Sequence, residues 1–273
     1  MRIAVLASRD TPWKSRNPIV LNLRNAHNIL VAEKMQLEFG GKAIAPDIRR
    51  LFDMREVIFD RSWLAGAEDF ELYYMYRDLF LSRADKEKLL SQGLRYDITI
   101  IPPHMLGREY IKTAGHYHPI VPGSSVTYPE LYEVLEGEAL YLLQSHDLSD
   151  VVAVTASAGD KVIVPPGYGH ITINRSNKTL KMANFVSRSF DSLYGPYRER
   201  SGGAYFFTKE GWIKNDRCPE AGELRRLDAP GSPILRRFGL AKGREMYPLL
   251  KETGRLEFIT KPEEHLQLFS GLL

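Results

Sequence analysis

The chain has 273 residues, 44% hydrophobic and 26% charged, the balance of an ordinary globular protein. A formal net charge of +3, with no dense Lys/Arg block, argues against a nucleic-acid partner; it suits an anionic metabolite without requiring one. The single cysteine, Cys218, excludes an intrachain disulfide framework and fits a reducing cytoplasm.

No apolar run approaches the roughly 18 residues of a membrane span. Met1–Ser8 is too short an apolar run for a signal peptide, so a cytoplasmic protein without a membrane partner is expected.

Three regions follow in chain order. Residues 1–37 read as an N-terminal extension. They hold the apolar run Ile3–Ala7 and a segment with apolar residues at Ile19, Leu21, Leu23, Ala26, Ile29 and Leu30, ambiguous between strand and helix. No glycine fingerprint follows the first run, so no dinucleotide site is expected there.

Residues 38–217 read as the core domain. Ser82 as N-cap, early acidic residues and Gly93 as terminator predict one short helix. Strands are predicted over Tyr96–Ile101, Glu109–Thr113, Leu131–Leu135, Ala139–Gln144, Lys161–Val164, Ile171–Ile173, Leu180–Val186 and Ala204–Phe207. Gly, Pro, Asn or Asp at most breaks points to an all-β barrel or sandwich. Residues 218–273 read as a partly helical extension, with helices around Arg244–Glu252 and Pro262–Phe269, that packs on the barrel or at an oligomer interface.

The chemistry concentrates in two stretches. Residues 159–174 carry Gly159, Pro165, Gly167, His170 and Asn174 in the spacing of the second cupin motif. Upstream, His116 and His118 alternate, and Glu130 stands seven residues before Gly137 as in the first cupin motif. This resemblance implies a double-stranded β-helix (jelly-roll) barrel with short flanking helices. On a strand, residues i and i+2 share a face, so both histidines look inward, and the Pro165–Gly167 turn delivers His170 to the same interior. An isolated H-x-H is usually incidental; the two half-motifs in order make His116, His118, Glu130 and His170 a metal set.

Three imidazoles and a carboxylate suit a divalent ion, Fe(II) first, with Mn(II), Ni(II) or Zn(II) admissible. They leave two positions of an octahedron for neighbouring sugar oxygens. Glu130 follows His118 by twelve residues, further than the usual cupin spacing, so Pro119–Pro129 reads as an inserted loop. The rival carboxylate, Glu133, points to the opposite face of the same strand. His104 and His146 fall in loops and His27 and His265 outside the core, all four as surface or packing residues; Cys218 reads as inert.

Thr113-Ala114-Gly115-His116-Tyr117-His118, then Glu130-Leu131-Tyr132 and a strand ending Leu142-Leu143-Gln144, resemble the cupin-type glucose-6-phosphate isomerases. Arg49-Arg50-Leu51-Phe52-Asp53-Met54 upstream, and Tyr194-Gly195 and Gly203–Phe207 downstream, extend the likeness over about residues 38–215. The resemblance implies reversible aldose–ketose isomerisation of glucose 6-phosphate and fructose 6-phosphate, in a homodimer. It implies phosphate contacts from Thr99, Thr113 and the Gly115 backbone, and pocket tyrosines at Tyr132, Tyr194 and Tyr73.

Glu130 is the candidate base and Tyr132 a relay or orienting group; a hydride shift would use the same residues. Three departures bear on substrate preference: the longer loop before Glu130, Ala114 where the family often has lysine, and no pocket tyrosine near Val186. Mannose 6-phosphate is therefore a candidate as an additional or alternative substrate. An iron-dependent cupin dioxygenase and a non-catalytic sugar-phosphate-binding cupin are the competing readings.

Overall fold

The computed structural model describes residues 37–273; expectations for the Ile19–Leu30 segment and His27 lie outside the described residues. The first strands are β1 (Leu37–Phe39), β2 (Lys42–Ile44), β3 (Asp47–Arg50), β4 (Glu71–Tyr76) and β5 (Leu94–Ile101). The short β6 (Met105–Leu106) and β7 (Glu109–Tyr110) follow, then β8 (Glu130–Glu136), β9 (Glu138–Ser145) and β10 (Val151–Ser157). Next come β11 (Lys161–Val164), β12 (Tyr168–Ile173) and β13 (Leu180–Ser187), and finally β14 (Tyr205–Thr208), β15 (Gly211–Lys214) and β16 (Leu224–Asp228). Helices are short: α1 (Arg61–Ala65), α2 (Arg83–Ser91), α3 (Gly195–Glu199), α4 (Ser232–Arg237) and α5 (Glu257–Thr260), with 3-10 turns at Leu51–Val57 and Tyr247–Lys251.

Two sheets form the body. One has the order β11-β8-β13-β5-β4-β3, the other β12-β9-β10-β16. The chain crosses from one sheet to the other after β8, β10, β11 and β12, the winding of a cupin jelly roll. Gly137 makes the first of these crossings at φ +83°, where an added Cβ would lie 2.7 Å from the Thr179 carbonyl oxygen. Asn174 ties another, donating from Nδ2 to the carbonyls of Ile101 and Lys178. Motif glycine and asparagine thus build turns, and the histidine is free to carry chemistry.

The inward faces pack together. Tyr132 on β8 and Met182 on β13 meet Tyr141 on β9, ring centroids 5.3 Å apart and hydroxyl to sulfur at 3.5 Å, in one buried cluster. The outward face of the six-stranded sheet is apolar as well, and the C-terminal residues cover it. Tyr96, Ile98 and Phe185 pack there with Phe238, Tyr247 and Phe258. Tyr247 accepts at its hydroxyl from the Leu81 amide at 2.8 Å and donates to Asp85 Oδ2 at 3.2 Å, joining the tail to α2.

Ser82 caps α2 as expected, its Oγ accepting from the Asp85 amide at 3.1 Å, and Gly93 follows the helix at φ +66°. Three expectations need correction. The strand predicted over Glu109–Thr113 ends at Tyr110; beyond it the chain meets β12 through single bridges, Lys112 with Ile173 and His116 with His170. The helix around Arg244–Glu252 is a 3-10 turn starting at Tyr247, since Pro248 has no amide hydrogen to donate. The helix over Pro262–Phe269 is two 3-10 turns, Pro262–Glu264 and Leu266–Phe269.

Candidate metal centre and active site

His116 and His170 exchange backbone hydrogen bonds, His116 N to His170 O at 3.3 Å and the reverse at 3.1 Å. That bridge fixes the extended segment against β12, and the i, i+2 alternation brings the Nε2 atoms of His116 and His118 to 3.3 Å. Glu130 opens β8, and Tyr132 follows on the same inward face. The turn at Gly167 (φ +83°) is held by its amide donating to Thr127 Oγ1 at 2.6 Å, which ties the inserted loop to the β12 entry.

One ligand atom from each of His116, His118, Glu130 and His170 lies within 4.8 Å of all the others. Glu130 Oε2 is 3.3 Å from Nε2 of both His118 and His170, yet is buried without a hydrogen-bond partner. The imidazoles are oriented from behind. His118 Nδ1 donates to the Tyr128 carbonyl at 2.9 Å, leaving an Nε2 lone pair in the neutral ring. His116 Nδ1 makes a longer contact of 3.4 Å to the Ala114 carbonyl.

Burial holds His116 well below its ordinary pKa, with the neighbouring His170 and His118 adding to the effect. Burial also pushes His170 down to about 4, against the pull of Glu130. For Glu130, burial opposes ionisation, but the adjacent His118 and His170 rings outweigh it and keep the carboxyl below its usual range. Neutral imidazole nitrogens facing an orphaned carboxylate oxygen are mutually repulsive donors unless a cation sits among them. The residues therefore fit a divalent metal.

Tyr132 belongs to this cluster: its hydroxyl lies 3.1 Å from His170 Nε2. Burial, reinforced by Glu130, holds its pKa well above the ordinary phenol value, so it remains a proton donor. Glu133 lies on the outward face of β8, where it pairs with Lys161 at 3.0 Å and accepts from the Met246 amide at 2.9 Å.

The other sequence candidates divide. Tyr194 packs beside His116, ring centroids 5.4 Å apart and tilted by 46°, and Tyr73 accepts at its hydroxyl from the Ala114 amide at 3.0 Å. Gly115 abuts Tyr197, whose ring would lie 2.3 Å from an added Cβ; close packing alone requires glycine there. Thr113 Oγ1 accepts from the Thr172 amide at 2.9 Å, which satisfies β12. Thr99, buried on β5, pairs with Met182 and Met75 across the sheet and makes no side-chain hydrogen bond among the described residues. His104 packs against Phe70, His146 against Tyr117, and Cys218 is buried.

Four further residues join the site that the sequence did not single out for it, although Arg49 lies in the family-like Arg49–Met54 segment. Asn184 Nδ2 donates to Glu130 Oε1 at 2.7 Å. Phe190 stacks on Tyr128 at 4.9 Å and packs against His118 at 4.7 Å. Arg49 and Arg198 both lie over the Tyr194 ring, at 5.6 Å and 5.9 Å. A recess beside the histidines is lined by Arg49, Glu56, Ala114, Gly115, Tyr194 and Arg198, among others.

Comparison with known proteins bears on this geometry. The chain is 28% identical over 170 residues to a glucose-6-phosphate isomerase of Pyrococcus abyssi, covering 61% of this chain and 83% of that protein. It is 30% identical over 156 residues to one from Thermococcus litoralis, covering 56% of this chain and 75% of the other. Among solved structures, an oxalate decarboxylase of Bacillus subtilis aligns at a TM-score of 0.35 and 17% identity, over 45% of this chain and 28% of that one, too slight to bear on function. The sequence model of glucose-6-phosphate isomerase (GPI) matches residues 48–221, more than half of the chain, and the protein belongs to that family.

Proposed function

We propose that the protein catalyses metal-dependent, reversible isomerisation of glucose 6-phosphate and fructose 6-phosphate at the His116–His118–Glu130–His170 centre. The observation that carries the metal dependence is the convergence of these four groups around the orphaned Glu130 Oε2. Fe(II) is the first candidate, with Mn(II), Ni(II) and Zn(II) compatible with the same nitrogen and oxygen donors.

A divalent ion bound by these residues supplies Lewis acidity toward the neighbouring oxygens on C1 and C2 of the open-chain sugar. Asn184 holds one Glu130 oxygen and aims the other at the centre, where Glu130 takes the proton from C2 and returns it to C1. Tyr132, protonated and 3.1 Å from His170, offers a hydrogen bond to a sugar oxygen as its charge develops. On this reading Thr99, Thr113 and the Gly115 backbone take the phosphate end and Tyr73 and Tyr194 the pocket wall; that Gly115 and Tyr194 line one recess supports it.

The test is anaerobic turnover of fructose 6-phosphate by EDTA-stripped protein reloaded separately with Fe(II), Mn(II), Ni(II) or Zn(II), with mannose 6-phosphate run alongside. Glucose 6-phosphate formed only with metal is the expected result. No conversion by any well-bound metal would remove the assignment.

A further inference from the structure

The recess beside the histidines contains a cation without a carboxylate of its own. Arg49 makes no ion pair among the described residues, and its Nε is buried with no hydrogen-bond partner. Two carboxylates line the recess with it, and Asp53 acts on Arg49 at a distance without forming an ion pair. Glu56 pairs with Arg198 at 3.4 Å, and Asp53 Oδ2 accepts from the Arg50 amide at 2.9 Å at the start of the 3-10 turn. Ala114 and Gly115 line the opposite wall and offer no charge.

Arg49 is also held firmly. Its guanidinium lies over Tyr194, whose ring is tilted against His116 at 5.4 Å, and it neighbours Tyr73, whose hydroxyl accepts from the Ala114 amide. The same ring contact therefore links the free cation to the first metal-binding histidine. A planar guanidinium that lies over an aromatic ring, lines a recess and has no ion pair of its own is suited to a phosphate oxyanion.

We propose that Arg49 receives the phosphate dianion of the substrate and sets the preference for phosphorylated over free sugars. The proposal rests on the isomerase reading for its choice of substrate, and on the recess alone for its choice of residue. Arg198 is assigned no share of the role: it is paired with Glu56 at 3.4 Å and more than half exposed, whereas Arg49 has no ion pair among the described residues.

The experiment compares wild type with Arg49→Gln, Arg49→Lys and Arg198→Gln, all metal-loaded. Three readouts are taken: KM and kcat for fructose 6-phosphate, the ratio of its kcat/KM to that for free fructose, and binding of inorganic phosphate by 31P NMR. Arg49→Gln should raise KM by about 10- to 100-fold, the worth of a charge-assisted hydrogen bond, with a smaller effect on kcat. It should also lower the phosphorylated-to-free ratio and weaken phosphate binding in parallel, with Arg49→Lys recovering part of each.

Metal content measured on every variant separates this from misfolding. Arg49→Gln protein that retains its metal but keeps wild-type KM and phosphate binding would overturn the proposal, as would an equal loss from Arg198→Gln. If wild type fails to turn over fructose 6-phosphate, the isomerase reading fails. Phosphate binding still judges Arg49: lost in Arg49→Gln it supports the anion site, unchanged it refutes it.

Discussion

Asn184 on β13 donates from Nδ2 to Glu130 Oε1 at 2.7 Å across the sheet, so one carboxylate oxygen is occupied and the other turns to the three imidazoles. The amide acts on the metal only through Glu130. Asn184→Leu removes the donor and leaves Oε1 without a partner in a buried site. Outer groups of this kind commonly alter metal affinity by about 10- to 100-fold. The expected outcome is a fall of that size, read by competition with a chromophoric chelator, while Asn184→Gln loses less. Unchanged affinity in Asn184→Leu would mean Glu130 is positioned by its strand alone.

Metal binding should also appear as stability. A ligand at a hundredfold excess over its Kd adds about 2.7 kcal/mol to the native state, a melting shift of about 5–10 °C for a domain of this size. EDTA-stripped protein should gain that shift with at least one of Mn(II), Ni(II) or Zn(II). His118→Ala should abolish it, because that ring faces both His116 Nε2 and Glu130 Oε2 at 3.3 Å. A metal-induced shift of wild-type size in His118→Ala would place the ion elsewhere.

The half-motifs were readable because each conserves a local geometric task. Gly137 needs its positive φ, Gly167 makes the turn before His170, and Asn174 closes the next crossing, so their spacing survives whatever packs around them. Strand β4 was not readable: ELYYMY is buried or half-buried along its length, because tail and core cover opposite faces, and alternation disappears. The tail resisted for the opposite reason. Its apolar residues follow the contour of a sheet rather than a helical period, and 3-10 turns leave no long repeat. Asn184 and Phe190 reach the site through contacts distant in sequence, which no spacing rule records, and the family-like Arg49–Met54 segment gave Arg49 no role of its own.

Gly115 offers a way to separate packing from substrate contact. Its Cα faces the Tyr197 ring so closely that an added Cβ would meet ring carbons at 2.3 and 2.4 Å, and Ile171 at 2.8 Å. Gly115→Ala must move Tyr197, which also packs on Tyr117 at 5.3 Å. Overpacking of this kind costs about 1–3 kcal/mol. Chemical denaturation should show that loss, and Gly115→Ala/Tyr197→Leu should recover part of it. No recovery in the double variant would favour a backbone role toward substrate instead.

Tyr117 makes a prediction about alkaline pH. Burial raises its phenol to about 12, and its hydroxyl donates to the Ser145 carbonyl while accepting from Gln144. Tyr76 is likewise raised to about 12 by burial. A folded pKa above the unfolded value of about 10 means that only the unfolded chain ionises between these limits. The stabilisation is therefore complete below pH 10 and is lost progressively as pH approaches 12, by about 2 kcal/mol per tyrosine. Urea midpoints at pH 9 and 11.5 should show the decline. Tyr117→Phe should start lower, having lost its hydrogen bonds, but fall less steeply; an unchanged slope would assign the decline to other groups.

Glu133 closes the same strand on its other side. Its carboxylate pairs with Lys161 at 3.0 Å, both side chains almost wholly buried, and accepts from the Met246 amide, anchoring the tail behind Glu130 and Tyr132. Removing one member of a buried pair strands the other charge and typically costs about 3–5 kcal/mol, whereas replacing both with apolar groups is far less costly. Lys161→Met should lose stability in that range, and Glu133→Leu/Lys161→Met should regain most of it. If the tail also supports the metal-bearing strand, Lys161→Met will weaken metal binding as well. Equal losses in the single and double variants would show instead that the Met246 hydrogen bond, which the double variant also lacks, is what holds the tail.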